Sequence, residues 1–455
     1  MDKMKVTAPL DPAFSPIYRG LQAFAARAAK GPEIRIAVER NDGLVATHDM
    51  HILPEGEDDA LNLRMVERMV KSMLWVYGGF RVTIAGSKAV YEGVKEQYRE
   101  GGARAFDANF MAHVYEHDFE VHYAATPAEA PQRKDASAPI GRHLDGCRIG
   151  FDAGGSDRKV SAVINGESVY SEEVVWFPKT QSDPAYHFDG IVSAMKTAAS
   201  KMPRVDAIGV SSAGVYINNH TMSASLFLKV GAEDYEKYVK DIYIRAAKEI
   251  GDVPLTVCND GDVTALAGAM SLGEDGILGI AMGTSEAGGY VDTKGNITGW
   301  LNELAFVPCD LAPDAMVDEW SGDIGCGVKY FSQDAVIKLA PAAGIELDSA
   351  LSPAEKLKVV QGKMQQDDEG ARAIYETIGV YLGYTLAFYA MFYDINHVLL
   401  MGRVTSGEGG DLVLAKAQEV LRSEYPELKM QVNLPDEKSR RVGQSVAAAS
   451  LPQIG

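Results

Sequence analysis

Cysteine is scarce. The 455 residues contain four, Cys147, Cys258, Cys309 and Cys326, and no two form a C-x-x-C pair. That spacing excludes an all-cysteine zinc site and the clustered thiols of an iron–sulfur centre, and the four are expected as free thiols. Long apolar runs are missing as well. None approaches the roughly 20 residues that a membrane span requires. The opening stretch, through Pro9 and Asp11-Pro12, holds no apolar segment of the secretory type. A cytoplasmic protein that does not engage a membrane is expected. Basic charge is in deficit, with 44 Lys and Arg against 63 Asp and Glu and a net charge of −19. A phosphate backbone demands the opposite balance, so no nucleic-acid partner is expected. Residues 1–145 are close to neutral, with about 18 basic and 21 acidic groups, which argues against a DNA-reading N-terminal module. No G-x-x-x-x-G-K-[ST] occurs, which excludes a P-loop kinase.

What is present organises into pieces. Ala124 to Pro139, AATPAEAPQRKDASAP, has Ala and Pro, charges and no periodic apolar face, and reads as a linker. The expected division is an N-terminal α/β domain over 1–123, a linker over 124–145, and two similar halves over 146–275 and 276–455. In the first piece Ile34–Val38 alternates as a strand, Asn41-Asp42-Gly43 marks a turn, and Leu44–His48 pairs back. Leu61–Tyr77 has helical spacing with Leu63, Val66, Met69, Val70 and Leu74 on one face. Phe80–Ala85 reads as a strand, and Ser87 caps a helix to about Tyr98. The next half opens with strands Arg148–Asp152, Val160–Ile164 and Ser168–Trp176, then a helix near Tyr186–Ser200 and a strand at Val205–Val210. A comparable run begins at Ile277–Met282 and ends with the strand His397–Met401. Two such halves imply a cleft between them, where ligands bind.

Three loops carry the chemistry. Asp152-Ala153-Gly154-Gly155-Ser156 ends a strand in a carboxylate followed by paired glycines, whose amides can approach a phosphate closely. The carboxylate implies a bridging cation, hydrated Mg²⁺. Met282-Gly283-Thr284-Ser285-Glu286-Ala287-Gly288-Gly289 repeats the strand, small-residue turn and strand. Pro254 to Asp260 is a short strand ending in Asn-Asp before a helix. By itself that pair reads as a helix cap; beside a cleft it places a carboxylate where it can accept a proton from an attacking hydroxyl.

The order D-x-G-G-S, I-G-V-S-S-A-G (Ile208–Gly214), V-C-N-D, G-T-S-E-A-G-G and Asn302-Glu303 resembles the ROK family of sugar kinases and regulators, within the actin/hexokinase/Hsp70 superfamily. The likeness spans about residues 147 to 451 and takes in Gly325–Ser332 and Val398–Gly402. It implies an α/β fold of two ribonuclease H-like, actin-like ATPase halves around a cleft, and an ATP- and Mg²⁺-dependent kinase acting on a hexose or amino sugar, working as a homodimer. It further implies that Asp260 is the general base and that Asn259, Glu303, Ser212 and Gly214 contact the sugar. Asp152 would hold Mg²⁺ through water. Gly154, Gly155, Ser156, Gly283 and Thr284 would cradle the ATP phosphates, with Gly402 near the adenosine. An alternative is a catalytically silent sugar-binding regulator.

The departures are specific. Ser156 stands for the family's Thr, and Ser285 for a Gly. Glu286 adds negative charge beside the expected phosphate loop. The family's G-E-x-G-H reads Asn302-Glu303-Leu304-Ala305-Phe306, so its histidine is missing, and of the zinc cysteines only Cys326 remains. No structural zinc is expected. His113 and His117, one helical turn apart, read as a solvated helix face, because no third ligand is evident. Gly209–Gly214 lacks the last glycine of a hydrolase elbow. Tyr381, Tyr384, Phe388 and Phe392 form an aromatic stripe suited to core packing or a subunit contact.

Overall fold

The computed structural model describes residues 3–135, 140–435 and 443–454; residues 136–139, within the expected linker, lie outside them. Among the described residues, fifteen strands form four sheets. β1 (Glu33–Glu39), β2 (Val45–His51), β3 (Arg81–Ala85) and β4 (Glu120–Ala124) make the first, in the order β2-β1-β3-β4. The β1–β2 hairpin turns through Asp42 and Gly43, both at positive φ, as the Asn-Asp-Gly signal requires.

The second sheet combines β5 (Cys147–Ala153), β6 (Asp157–Ile164), β7 (Glu167–Val175), β8 (Ala207–Ser212) and β11 (Leu255–Asn259) in the order β11-β8-β5-β6-β7. β5, β6 and β7 pair antiparallel, whereas β5, β8 and β11 run parallel. β5 is buried at every position, as expected of a central strand covered on both faces. β9 (Val215–Ile217) and β10 (His220–Ser223) form a small hairpin. The fourth sheet, in the order β13-β12-β14-β15, uses β12 (Ile277–Met282), β13 (Glu286–Val291), β14 (His397–Met401) and β15 (Gln431–Asn433). This mixed α/β plan of two related sheets is the expected fold class. The second copy is shorter, with Val291 and Ile297 making an isolated bridge where the second sheet has a full third antiparallel strand, β7.

The N-terminal segment shares a single apolar core with the second half. That core runs from Val6 through the first sheet to Val432, while the first half packs separately around Ile149, Phe151, Ile208 and Val257. Two contacts show the fusion. The aromatic stripe is covered by the chain's own N-terminus: Phe14 sits edge-on to Tyr381 at 4.6 Å, and the Tyr384 hydroxyl donates to the carbonyl of Val6. The Asp59–Tyr77 helix is buried at every position from Met65 to Tyr77, not on one face as its periodicity suggests, because it is held between its own sheet and the second half. The charged residues this traps are paired. Lys71, with no exposed surface, meets Asp323 at 2.8 Å and Asp107 at 3.3 Å; Arg68 and Arg104 also bind Asp323.

The reading of the histidine pair is refined. The Ala105–Tyr115 helix ends before His117, which stacks on Phe80 at 4.1 Å, and His113 bonds the carbonyl of Met222. Both residues are exposed, as expected, but they meet different surroundings, and only His113 lies on the helix. Among the described residues, no group of three or more His, Cys, Asp or Glu is placed to hold a metal ion, and no helix is long and apolar enough to cross a membrane.

Candidate active site

At the carboxyl ends of β5 and β8, Asp152 and Ser211 stand side by side, and the Ser211 hydroxyl donates to the Asp152 carboxylate at 2.8 Å. Burial pushes the Asp152 carboxyl up to about 6, an effect that the Ser211 bond opposes and the charge of Asp260 adds to. Gly154 and Gly155 turn the chain into β6. The Lys179 ammonium lies over Gly155, 3.2 Å from where a Cβ would stand. Ser156 donates its hydroxyl to Asp157, whose carboxylate faces Lys159 at 3.5 Å.

β11 delivers Asn259 and Asp260 to the same end. Asn259 caps the Asp260–Leu272 helix: its Oδ1 accepts from the Gly261 amide at 2.8 Å, and its Nδ2 donates to the Gly214 carbonyl at 2.7 Å. The cap thus ties the I-G-V-S-S-A-G loop to the Asn-Asp pair. Asp260 occupies the first helical position, half-buried. Burial raises its carboxyl above the ordinary range, while the Gly261 amide and the Lys179 ammonium draw it back. Gln444 donates to both the Ser211 hydroxyl and the Asp260 carbonyl. It is held there by the Gln444–Ala449 helix, which lies directly on Gly150 and Gly209, where any Cβ would strike its backbone.

Asp260 belongs to a cluster of carboxyl groups. Asp262, two residues on, accepts from the Tyr290 amide and from Asn302 Nδ2, yet burial still lifts it to about 7. Glu303 is raised to about 7 by burial and by the charges of Asp260 and Asp262. Asn302 takes a left-handed φ of 54°, which asparagine tolerates, and the Asn302 and Glu303 amides donate to the Val76 and Trp75 carbonyls. Phe306, at the position of the family histidine, packs on Trp75 at 4.2 Å and Phe106 at 5.5 Å. The N-terminal segment therefore builds one wall of this region.

The second-half loop forms a separate group. The Gly283 amide donates to Ser285, Thr284 accepts from Arg403, and Gly402 rests on the backbone of Met282 with φ 97°. Glu286 corrects an expectation. Its carboxylate does not face this loop but points inward, 3 % exposed, accepts from the Tyr389 hydroxyl, and is pushed by burial to about 8. Ser212 is a second correction. Its hydroxyl is fully buried and accepts from Tyr216 and Tyr243, so it anchors the loop and has no surface for a sugar. Sequence reasoning missed Lys179 and Gln444, which sit in no motif. Asp262 was visible two residues after Asp260.

No family model and no curated protein matches the chain. Solved structures do. The ROK hexokinase from Thermus thermophilus superposes with a TM-score of 0.52 over 67 % of this chain and 97 % of that one, at 17 % identity. The fold is that of a ROK hexokinase. The ROK-family glucokinase from Streptomyces griseus, solved with glucose and AMPPNP, is 21 % identical, with a TM-score of 0.48 over 68 % of this chain and 100 % of its own. A ROK transcriptional regulator homologous to the E. coli MLC protein is 17 % identical, with a TM-score of 0.48 over 68 % of this chain and 78 % of that one.

Proposed function

We propose that the chain is an ATP-dependent kinase of a sugar hydroxyl, with Asp260 as the general base. The fold permits this reading without requiring it. The observation that carries it is Asp260 itself, a desolvated carboxyl at the carboxyl end of β11. It shares one electrostatic neighbourhood with the Asp152 turn on one side and Glu303 on the other.

In this reading the nucleotide supplies the phosphoryl group. The residues present suit its phosphates: two open glycine turns at Gly154-Gly155 and Gly283-Thr284, with Lys179 over the first and Arg403 on the second. Asp152 would hold Mg²⁺ through water, and a cation beside it would return its carboxyl to the charged form. Gly402 admits no side chain, which keeps the strand end flat beside the second turn. Asn259 and Glu303 orient the sugar, and Asp260 takes the proton from the attacking hydroxyl. A raised pKa makes Asp260 a stronger base than an exposed aspartate. Phosphoryl transfer needs little else from the protein beyond alignment and charge neutralisation.

The test is ADP release from ATP and Mg²⁺ across a panel of hexoses and amino sugars. Absence of sugar-dependent ADP release throughout the panel would refute the reading. One feature favours a silent sugar-binding regulator as the second reading: the carboxylate of Asp157 sits on Ser156 inside the phosphate turn. Calorimetry decides between them, since a silent binder takes sugar without nucleotide. A homodimer is part of the kinase reading, and sedimentation equilibrium tests it.

A further inference from the structure

Lys179 stands between the first glycine turn and Asp260. Its stem crosses Gly155, where an added Cβ would meet Cε at 3.0 Å and Nζ at 3.2 Å. Gly155 is not at positive φ, so the backbone does not demand glycine there; the space is what the lysine uses. Among the described residues, Lys179 forms no ion pair or hydrogen bond. Its charge nonetheless acts on the Asp260 carboxyl, on the far side of the turn.

The placement is built into the fold. Trp176, 1 % exposed, donates its indole N–H to the Gly154 carbonyl at 2.8 Å and its amide to the Ser156 carbonyl at 3.1 Å. Both carbonyls flanking Gly155 are therefore fixed by the residue that leads into the Pro178–Thr180 turn. The Phe177 amide donates to the Tyr186 hydroxyl, and the buried His187 donates Nε2–H to the Pro178 carbonyl. The lysine is free at its tip and anchored at its root.

The nearby acids have other partners. Asp157 faces Lys159 at 3.5 Å, and the Asp152 carboxylate accepts from Ser211. A phosphoryl group moving from the turn to a hydroxyl at Asp260 approaches that carboxylate as one anion approaches another, and in a desolvated site the repulsion is strong. An unpaired ammonium on a flexible stem, with three rotatable donors, suits a group whose charge is spread over several oxygens and moves.

We propose that Lys179 is a catalytic residue whose ammonium contacts the phosphoryl group during transfer, between the Gly154-Gly155 turn and the hydroxyl held at Asp260. This rests on the sugar-kinase reading above and adds to it the cation that meets the transferred group. In the step, the phosphorus–oxygen bond to ADP breaks as one to the sugar oxygen forms. The hydroxyl proton passes to Asp260, and Lys179 keeps its own protons.

The full chain is titrated by calorimetry, with Mg²⁺ present, against ADP and against AMPPNP, a non-hydrolysable triphosphate. Sugar-dependent ADP release from ATP is followed in parallel across hexoses and amino sugars. Lys179→Met is expected to weaken AMPPNP about tenfold while ADP stays within about twofold. Its turnover is expected to fall about 10²- to 10³-fold with the sugar KM little changed, and Lys179→Arg to keep part of both properties. The side chain is exposed, so neither variant disturbs the core. ADP and AMPPNP weakened alike overturn the proposal, since Lys179 then serves the phosphates that stay behind. Sugar-dependent ADP release undiminished in Lys179→Met overturns it and leaves the kinase reading intact. No sugar-dependent ADP release by the unmodified protein overturns both.

Discussion

The Glu303 amide donates to the carbonyl oxygen of Trp75 across 3.0 Å. That carbonyl lies in the last turn of the Asp59–Tyr77 helix, where intrahelical partners run out. The Asn302 amide likewise satisfies Val76. A loop of the second half is thus hung from the end of an N-terminal helix. Trp75→Ala removes the ring beneath Phe306 and the indole bond to Asp107 at 2.6 Å. A cost of about 3–5 kcal/mol in unfolding free energy is expected, measured by urea titration. The sugar KM is expected to rise while the nucleotide KM stays within about twofold, since the effect on binding is ground-state positioning.

Asp260→Asn keeps shape and hydrogen-bonding capacity but removes the base. Steady-state turnover should fall about 10²- to 10⁴-fold, with sugar affinity by calorimetry little changed. Undiminished kcat in this variant would reassign the base.

Asp323 is the hub that balances Lys71, Arg68 and Arg104. Burial acts to raise its carboxyl, but those three cations hold it well below the ordinary range. Asp323→Asn leaves buried positive charge uncompensated, and a loss of about 3–5 kcal/mol is expected in chemical denaturation. This network lies beside Cys326, in the segment that resembles the one following the family's zinc motif. Chelator treatment should accordingly leave the melting temperature of the unmodified protein unchanged.

The raised carboxyls predict how stability follows pH. Glu286 titrates near its ordinary value when unfolded and at about 8 when folded. Between those values the folded chain retains a proton that the unfolded chain has lost. Its contribution is therefore full below about pH 4.5 and disappears as pH rises through about 8. Asp152 at about 6 and Asp262 and Glu303 at about 7 act in the same direction. Calorimetric melting temperatures of the ligand-free protein should decline from pH 5 to 8.5. Glu286→Gln should flatten the decline above pH 6. A melting temperature that climbs over this range in the unmodified protein contradicts the assignment.

Gly402→Ala places a Cβ on the Met282 carbonyl at a φ of 97°, which L-residues rarely adopt. Both the second turn and the strand end must shift. Nucleotide affinity is expected to drop more than sugar affinity, as read by separate calorimetric titrations.

Local pattern alone determined much of the framework. Ile277–Met282 and His397–Met401 were readable to the residue, and Ser87 caps its helix as its type and place suggest, because strand alternation and capping are short-range effects. The Asp-Gly-Gly and Asn-Asp turns are legible for the same reason. Tertiary structure decided which groups share an environment. Glu286 turns inward and Ser212 is consumed by two tyrosines because partners distant in sequence pack there. The Asp59–Tyr77 helix shows one apolar face in sequence, yet from Met65 on it is buried all round, and the charges there find carboxylates from residues 107 and 323. Lys179 and Gln444 carry no signal in their own neighbourhoods. Burial, charge pairing and the absence of pairing are properties of the packed chain, and only the fold makes them visible.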